Sequence, residues 1–124
     1  MVTENNLELT YVVGDGPVKL TIIIGDGQIG GSALKMDGGV IGSPGVVEKQ
    51  LIGRGPDLVN KVLEAKTLVA DINDATDWTS VTYELTGGPP QQPVTAKQRV
   101  ENEGDGVIYR TNFRFVASDG ANKA

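Results

Sequence analysis

The chain contains no cysteine and no histidine. Without cysteine there are no disulfides, no thiolate metal sites and no cysteine nucleophile, and no redox compartment follows either way. Without histidine there are no Ser–His or Cys–His triads, no imidazole-bound zinc and no histidine general base. Any enzyme built from this sequence works with carboxylates, lysine, tyrosine or a hard cation. Aromatics are also scarce: Trp78, three tyrosines and two phenylalanines. The core must therefore rest on Val, Ile and Leu, which suit half-buried pleated positions. Long apolar runs are missing as well. The longest, Ile22-Ile23-Ile24, is far too short to span a bilayer.

What the chain has in abundance is glycine, 17 residues in 124. Gly-Asp-Gly occurs at 14–16, 25–27 and 104–106, each time between runs rich in Val, Ile, Thr, Tyr or Phe. Asp and Gly tolerate the positive φ that tight turns require, so the tripeptides read as turn chemistry in an all-β protein.

The flanks alternate. Leu7, Leu9, Tyr11 and Val13 form one phase, Val18, Leu20, Ile22 and Ile24 the next, and the turn at 14–16 makes the two a hairpin. Residues 28–36 form a weaker strand, with Gly30 and Gly31 marking a bulge or a close backbone approach. Residues 37–45 read as a loop and 46–52 as a short strand. Asp57 is a candidate N-cap for at most one short helix near residues 57–64. The next strand is expected from Thr67, with Leu68, Ala70 and Ile72 inward. Thr79, Val81, Tyr83 and Leu85 face inward on a clean strand. A last hairpin joins 95–101 to 107–117 around the third Gly-Asp-Gly, with Val107, Tyr109, Phe113 and Phe115 inward.

About eight short strands with regular turn signals predict a single antiparallel β-sandwich or flattened barrel, with loose termini at 1–6 and 118–124. The polar segment Met1–Asn6 lacks the pattern of a secretory leader, so the expected compartment is the cytoplasm, with signal-less export or a mature fragment as the other routes. The formal charge of −5 disfavours nucleic acid and anionic lipid as partners.

Two constellations are candidate sites. Asp71, Asn73, Asp74 and Asp77 cluster on a strand end and turn, a donor set suited to Ca²⁺. The spacing misses the EF-hand pattern, and the competing reading is an Asx turn. Trp78 follows directly and is either a core lid or a stacking platform for a carbohydrate. The second constellation is basic: Lys97 and Arg99 on one strand of the last hairpin, Arg110 and Arg114 on the other. It offers a face for an anionic ligand or an acidic protein, or else a solvated face that discourages edge aggregation. Gly-Asp-Gly-Gln-Ile-Gly at 25–30 lacks the helix and the Gly-Lys-Ser/Thr ending of a phosphate loop. The leading expectation is a non-catalytic binding or protein-interaction module. The alternatives are a Ca²⁺- or carbohydrate-binding sandwich and a carboxylate-based hydrolase.

Overall fold

A computed structural model describes residues 2–102 and 104–117. Nine strands and one helical turn follow in order: β1 (Val2–Val13), β2 (Pro17–Ile24), β3 (Ile29–Met36), β4 (Gly39–Gly45), β5 (Gln50–Arg54), α1 (Gly55–Leu58), β6 (Val62–Ala70), β7 (Trp78–Thr86), β8 (Val94–Arg99) and β9 (Gly106–Ala117). They form a sandwich of a five-stranded sheet, β1-β9-β6-β3-β4, and a four-stranded sheet, β5-β2-β7-β8. All pairings are antiparallel except β1 with β9, which run parallel over their full length. No helix among the described residues is long and apolar enough to cross a membrane.

The Gly-Asp-Gly segments are turns, but not hairpin turns. β1 and β2 lie in opposite sheets, as do β2 and β3, and β8 and β9. Each tripeptide therefore carries the chain across the sandwich, and the two expected hairpins at 14–16 and around 104–106 do not form. The turn chemistry itself holds at the second copy. Asp26 and Gly27 both take positive φ, 59° and 70°, and Gln28 N–H closes the turn on Gly25 O at 3.2 Å. The tightest true hairpin joins β3 to β4 through Asp37 and Gly38, with φ of 53° and 79°. That is a type I′ turn, whose twist matches the strands it connects. The segment expected to be a loop, 37–45, is this hairpin and its second strand.

Other boundaries move too. The strand expected over 46–52 is β5, Gln50–Arg54. The helical turn sits at Gly55–Leu58 with Pro56 at its start and no side-chain cap, so Asp57 lies inside the turn instead of capping it. The N-terminal residues from Val2 onward are strand, held by β9, whereas 118–124 lie outside the described residues. The β6 phase is inverted. Leu63, Ala65, Thr67 and Val69 are buried, and Leu68 and Ile72 are half exposed. Thr67 is what masks the true phase: a buried hydroxyl made tolerable by Ser32, with the two oxygens 2.7 Å apart.

The core joins the expected inward faces of β1, β2, β7 and β9. Its largest members are Tyr109, Phe113 and Phe115 on β9, with Leu20, Leu34 and Leu63 from facing and neighbouring strands. Tyr83 and Phe113 meet edge to face at 5.4 Å. Two tyrosine–threonine pairs cross between the sheets in opposite senses. Tyr109 OH of the larger sheet lies 2.5 Å from Thr79 Oγ1, which donates to Gln98 O. Thr111 Oγ1 of the larger sheet donates to Tyr83 OH of the smaller at 2.7 Å. These bonds satisfy the polar tips that burial would otherwise penalise.

Burial pushes both phenols above their ordinary value of 10.0, while the threonine hydroxyls partly oppose the rise. The protonated phenols thus stabilise the fold fully below pH 10. Above it the unfolded chain gives up protons that the native state keeps, and stability falls as pH rises through the native values. We expect the unfolding free energy from urea titrations to drop between pH 10 and 12, by up to about 1.4 kcal/mol per pH unit for each tyrosine. Tyr83→Phe should flatten that slope. An unchanged slope in the variant would show that Tyr83 ionises freely in the native protein.

Candidate functional site

The acidic corner 71–77 connects β6 to β7, and its polar side chains are engaged mainly by the protein itself. Gln28, just past the second Gly-Asp-Gly, reaches into it. Gln28 Oε1 accepts from Ile72 N at 2.7 Å and Asn73 N at 2.8 Å. Gln28 Nε2 donates to Asp71 Oδ1 at 2.7 Å and to Trp78 O at 3.0 Å. Asn73 forms the Asx turn, accepting from Ala75 N at 3.0 Å, and its Nδ2 donates to Asp26 O at 2.9 Å. Asp71 is fully buried, and its Oδ2 has no hydrogen-bond partner. Its backbone joins the third Gly-Asp-Gly: Asp71 N donates to Asp105 O, and Gly104 N donates to Asp71 O. Asp74 is exposed, and Asp77 O accepts from Val100 N. Among the described residues, no three Asp, Glu, His or Cys side chains gather to hold a metal. The corner is thus a junction of three sheet crossings.

Trp78 is 45% exposed, so it is not a core lid. It sits at the start of β7 on the outer face of the smaller sheet, directly opposite Arg99. The basic residues are divided. Lys97 and Arg99 lie on β8 in the smaller sheet, Arg110 and Arg114 on β9 in the larger. β8 and β9 do not pair, so the expected four-cation hairpin face does not exist. Arg110 is ion-paired with Glu4 of β1 at 3.4 Å, and Arg114 stands exposed between Thr10 and Val62.

The surface that the sequence reading passed over is apolar and centres on Ile29. Ile29 is 58% exposed, with Ile23 at 50%, Leu68 at 52% and Val46 at 86%. Two grooves flank it. The first, about 470 Å³, lies on the open flank of the sandwich between Ile22–Ile24 of β2 and the segment Val46–Glu48. The second, about 450 Å³, runs over the outer face of the larger sheet along Leu68, Ala70 and Pro44. Ile29 lines both and forms the ridge between them.

Two local causes build this surface. β5 is short and pairs with β2 only as far as Leu20. Beyond it Ile22 N still donates to Val47 O at 3.0 Å, but among the described residues no strand lies beside Ile24 on that side. By alternation, the Ile24 N–H and C=O face the same open flank as those of Ile22. The second cause is Gly30-Gly31. A methyl on Gly30 would stand 2.1 Å from Leu68 O, so β3 and β6 can close here only without a side chain. The glycines remove bulk around the ridge and leave a groove on each side. Each groove has a single charged lining residue, Glu48 in the first and Lys66 in the second. A usable signal did exist in the sequence: Ile23 and Leu68 are apolar residues on the polar phase of their strands.

Because the Gln28 side chain serves five partners at once, Thr76 O at 3.5 Å being the fifth, Gln28→Ala should cost roughly 3–5 kcal/mol in urea unfolding, mostly from stranding the buried Asp71 carboxylate. Asp74→Ala, on the exposed side of the same corner, should change stability by less than about 0.5 kcal/mol. A Gln28→Ala loss no larger than that of Asp74→Ala would contradict the junction. Comparison with protein-family models, with curated proteins and with solved structures finds no match.

Proposed function

We propose that the chain is a non-catalytic protein-interaction module that receives its partner on the apolar surface around Ile29. The observation that carries this reading is the Ile29 ridge itself, an exposed β-branched residue set between two apolar grooves beside the open backbone of Ile24 at the end of β2. Contiguous exposed apolar surface is costly to leave in water, and in soluble domains it typically marks a contact site. An open strand edge adds backbone donors and acceptors, the basis of recognition by strand addition. The absence of His and Cys and the acidic charge of −5 are in keeping with a protein partner instead of a reaction or a nucleic acid.

One further observation favours a second, separate site. Trp78 is exposed on a backbone fixed by Gln28 and Thr76, with Arg99 beside it across the strands. An indole next to a guanidinium suits a sugar ring bearing an anionic group. Tryptophan emission titrated with acidic oligosaccharides tests this. A saturable shift that disappears in Arg99→Ala supports the site, and no shift across the series removes it.

For the leading reading, a photo-reactive phenylalanine analogue installed at Ile29 is compared with the same group at Thr95, an exposed position on β8. Cross-links to protein should concentrate at Ile29 and be sparse at Thr95. Equal or absent cross-linking at the two positions would refute the surface.

A further inference from the structure

We infer that the partner on the Ile29 surface is a second copy of this chain, bound in a twofold dimer whose axis runs along β3. The inference rests on the protein-interaction reading and adds the identity of the partner. Its basis is the charge pattern. Among the described residues, the ridge separates one groove whose only charged lining residue is Glu48 from another whose only charged lining residue is Lys66. Among the described residues, neither side chain makes an ion pair or a hydrogen bond within its own chain.

A twofold axis lying between two copies and parallel to the ridge turns the surface onto itself with its sides exchanged. The Glu48 groove of one copy then faces the Lys66 groove of the other, and the reverse holds on the far side. One self-complementary surface thus yields two reciprocal ion pairs around a shared apolar centre of Ile29, Leu68 and Val46. An unrelated partner would have to carry a base and an acid at the same separation about its own apolar centre, and a second copy does so by symmetry.

The other long edge of the sandwich is blunted against self-association. β1 is the outermost strand of the larger sheet, but Gln91 occupies the Val12 backbone with bonds to both N and O. Near its other end, Asn5 Nδ2 reaches across to Gln98 Oε1 and Lys97 O. A side chain laid over the backbone of an edge strand, as Gln91 is at Val12, obstructs strand-to-strand pairing. On β2, Val47 O takes the Ile22 N–H, and among the described residues no side chain is bonded over the Ile24 backbone on that flank.

Sedimentation velocity over a concentration series tests the dimer, with far-ultraviolet circular dichroism confirming that each variant is folded. The wild-type protein should show a reversible monomer–dimer equilibrium, and Ile29→Asp should remain monomeric. Glu48→Lys alone and Lys66→Glu alone should each raise the dimer dissociation constant about tenfold or more, because each places like charges opposite one another. The combined variant should return to near the wild-type value, since the pairs re-form with reversed polarity. That recovery also rules out misfolding as the cause of the single-variant losses. A double variant no tighter than the singles would overturn the proposed geometry. A wild-type protein that stays monomeric throughout would overturn the dimer. If Ile29 then still cross-links to other proteins, the interaction surface stands with a different partner; if it does not, both readings fail.

Discussion

The side-chain amide of Gln28 is the contact on which the arrangement of the sandwich most depends. This chain builds its sheets mainly by crossing between them, so few neighbouring strands are held in place by a tight hairpin. A crossing turn supplies no ladder of its own, and its position must be fixed by something else. Gln28 supplies that at one pole. Its oxygen takes two consecutive backbone N–H groups, and its nitrogen gives to a buried carboxylate and two backbone carbonyls. The β2–β3 crossing is thereby tied to the β6–β7 crossing, and Asp71 carries the tie on to the β8–β9 crossing through Asp105 and Gly104. Two of the three Gly-Asp-Gly turns end at one junction. A neutral amide suits the task because it donates and accepts at once.

The junction also places the interaction surface. Gln28 lines the first groove, and Ile29 is the next residue along the chain. With Gln28 turned inward to the corner, strand alternation turns Ile29 outward. The exposed ridge is thus the geometric counterpart of a buried hub. Below it, the paired tyrosines and threonines hold the sheets at fixed spacing. At the opposite pole backbones pack against one another directly. A methyl on Gly55 would overlap Gly14 O at 1.8 Å, and the N–H of that same glycine donates to Gly16 O at 2.9 Å. One pole is held by a side chain and the other by bare backbone, which explains why glycine is so abundant here without most of it lying in hairpin turns.

Strand alternation was the part of the fold most legible in the sequence. It gave the inward phase of β1, β2, β7 and β9, because there apolar residues hold that phase with only Thr79 and Thr111 among them and polar residues dominate the other. It failed on β6, where buried Thr67 interrupts the inward phase and exposed Leu68 strengthens the outward one. Pairing was much less legible. Gly-Asp-Gly supplies positive φ whether the chain turns back along its own sheet or steps to the other, and only the surrounding packing decides between them. The division of Lys97 and Arg99 from Arg110 and Arg114 follows directly from that ambiguity. The acidic corner was visible as a cluster, but its bonding was not, since its main partner is an unremarkable glutamine more than forty residues earlier. The Ile29 surface was foreshadowed only by apolar residues out of phase with their strands.

Native-state hydrogen exchange tests the junction most directly. The amides of Ile72, Asn73 and Gly104 lie in connecting segments, where exchange is ordinarily fast. If Gln28 and Asp71 lock three crossings together, these amides should be protected to within about tenfold of the central β9 amides and should open with them as one unit. Exchange of Ile72 and Asn73 as rapid as that of the exposed 87–93 loop would contradict the account.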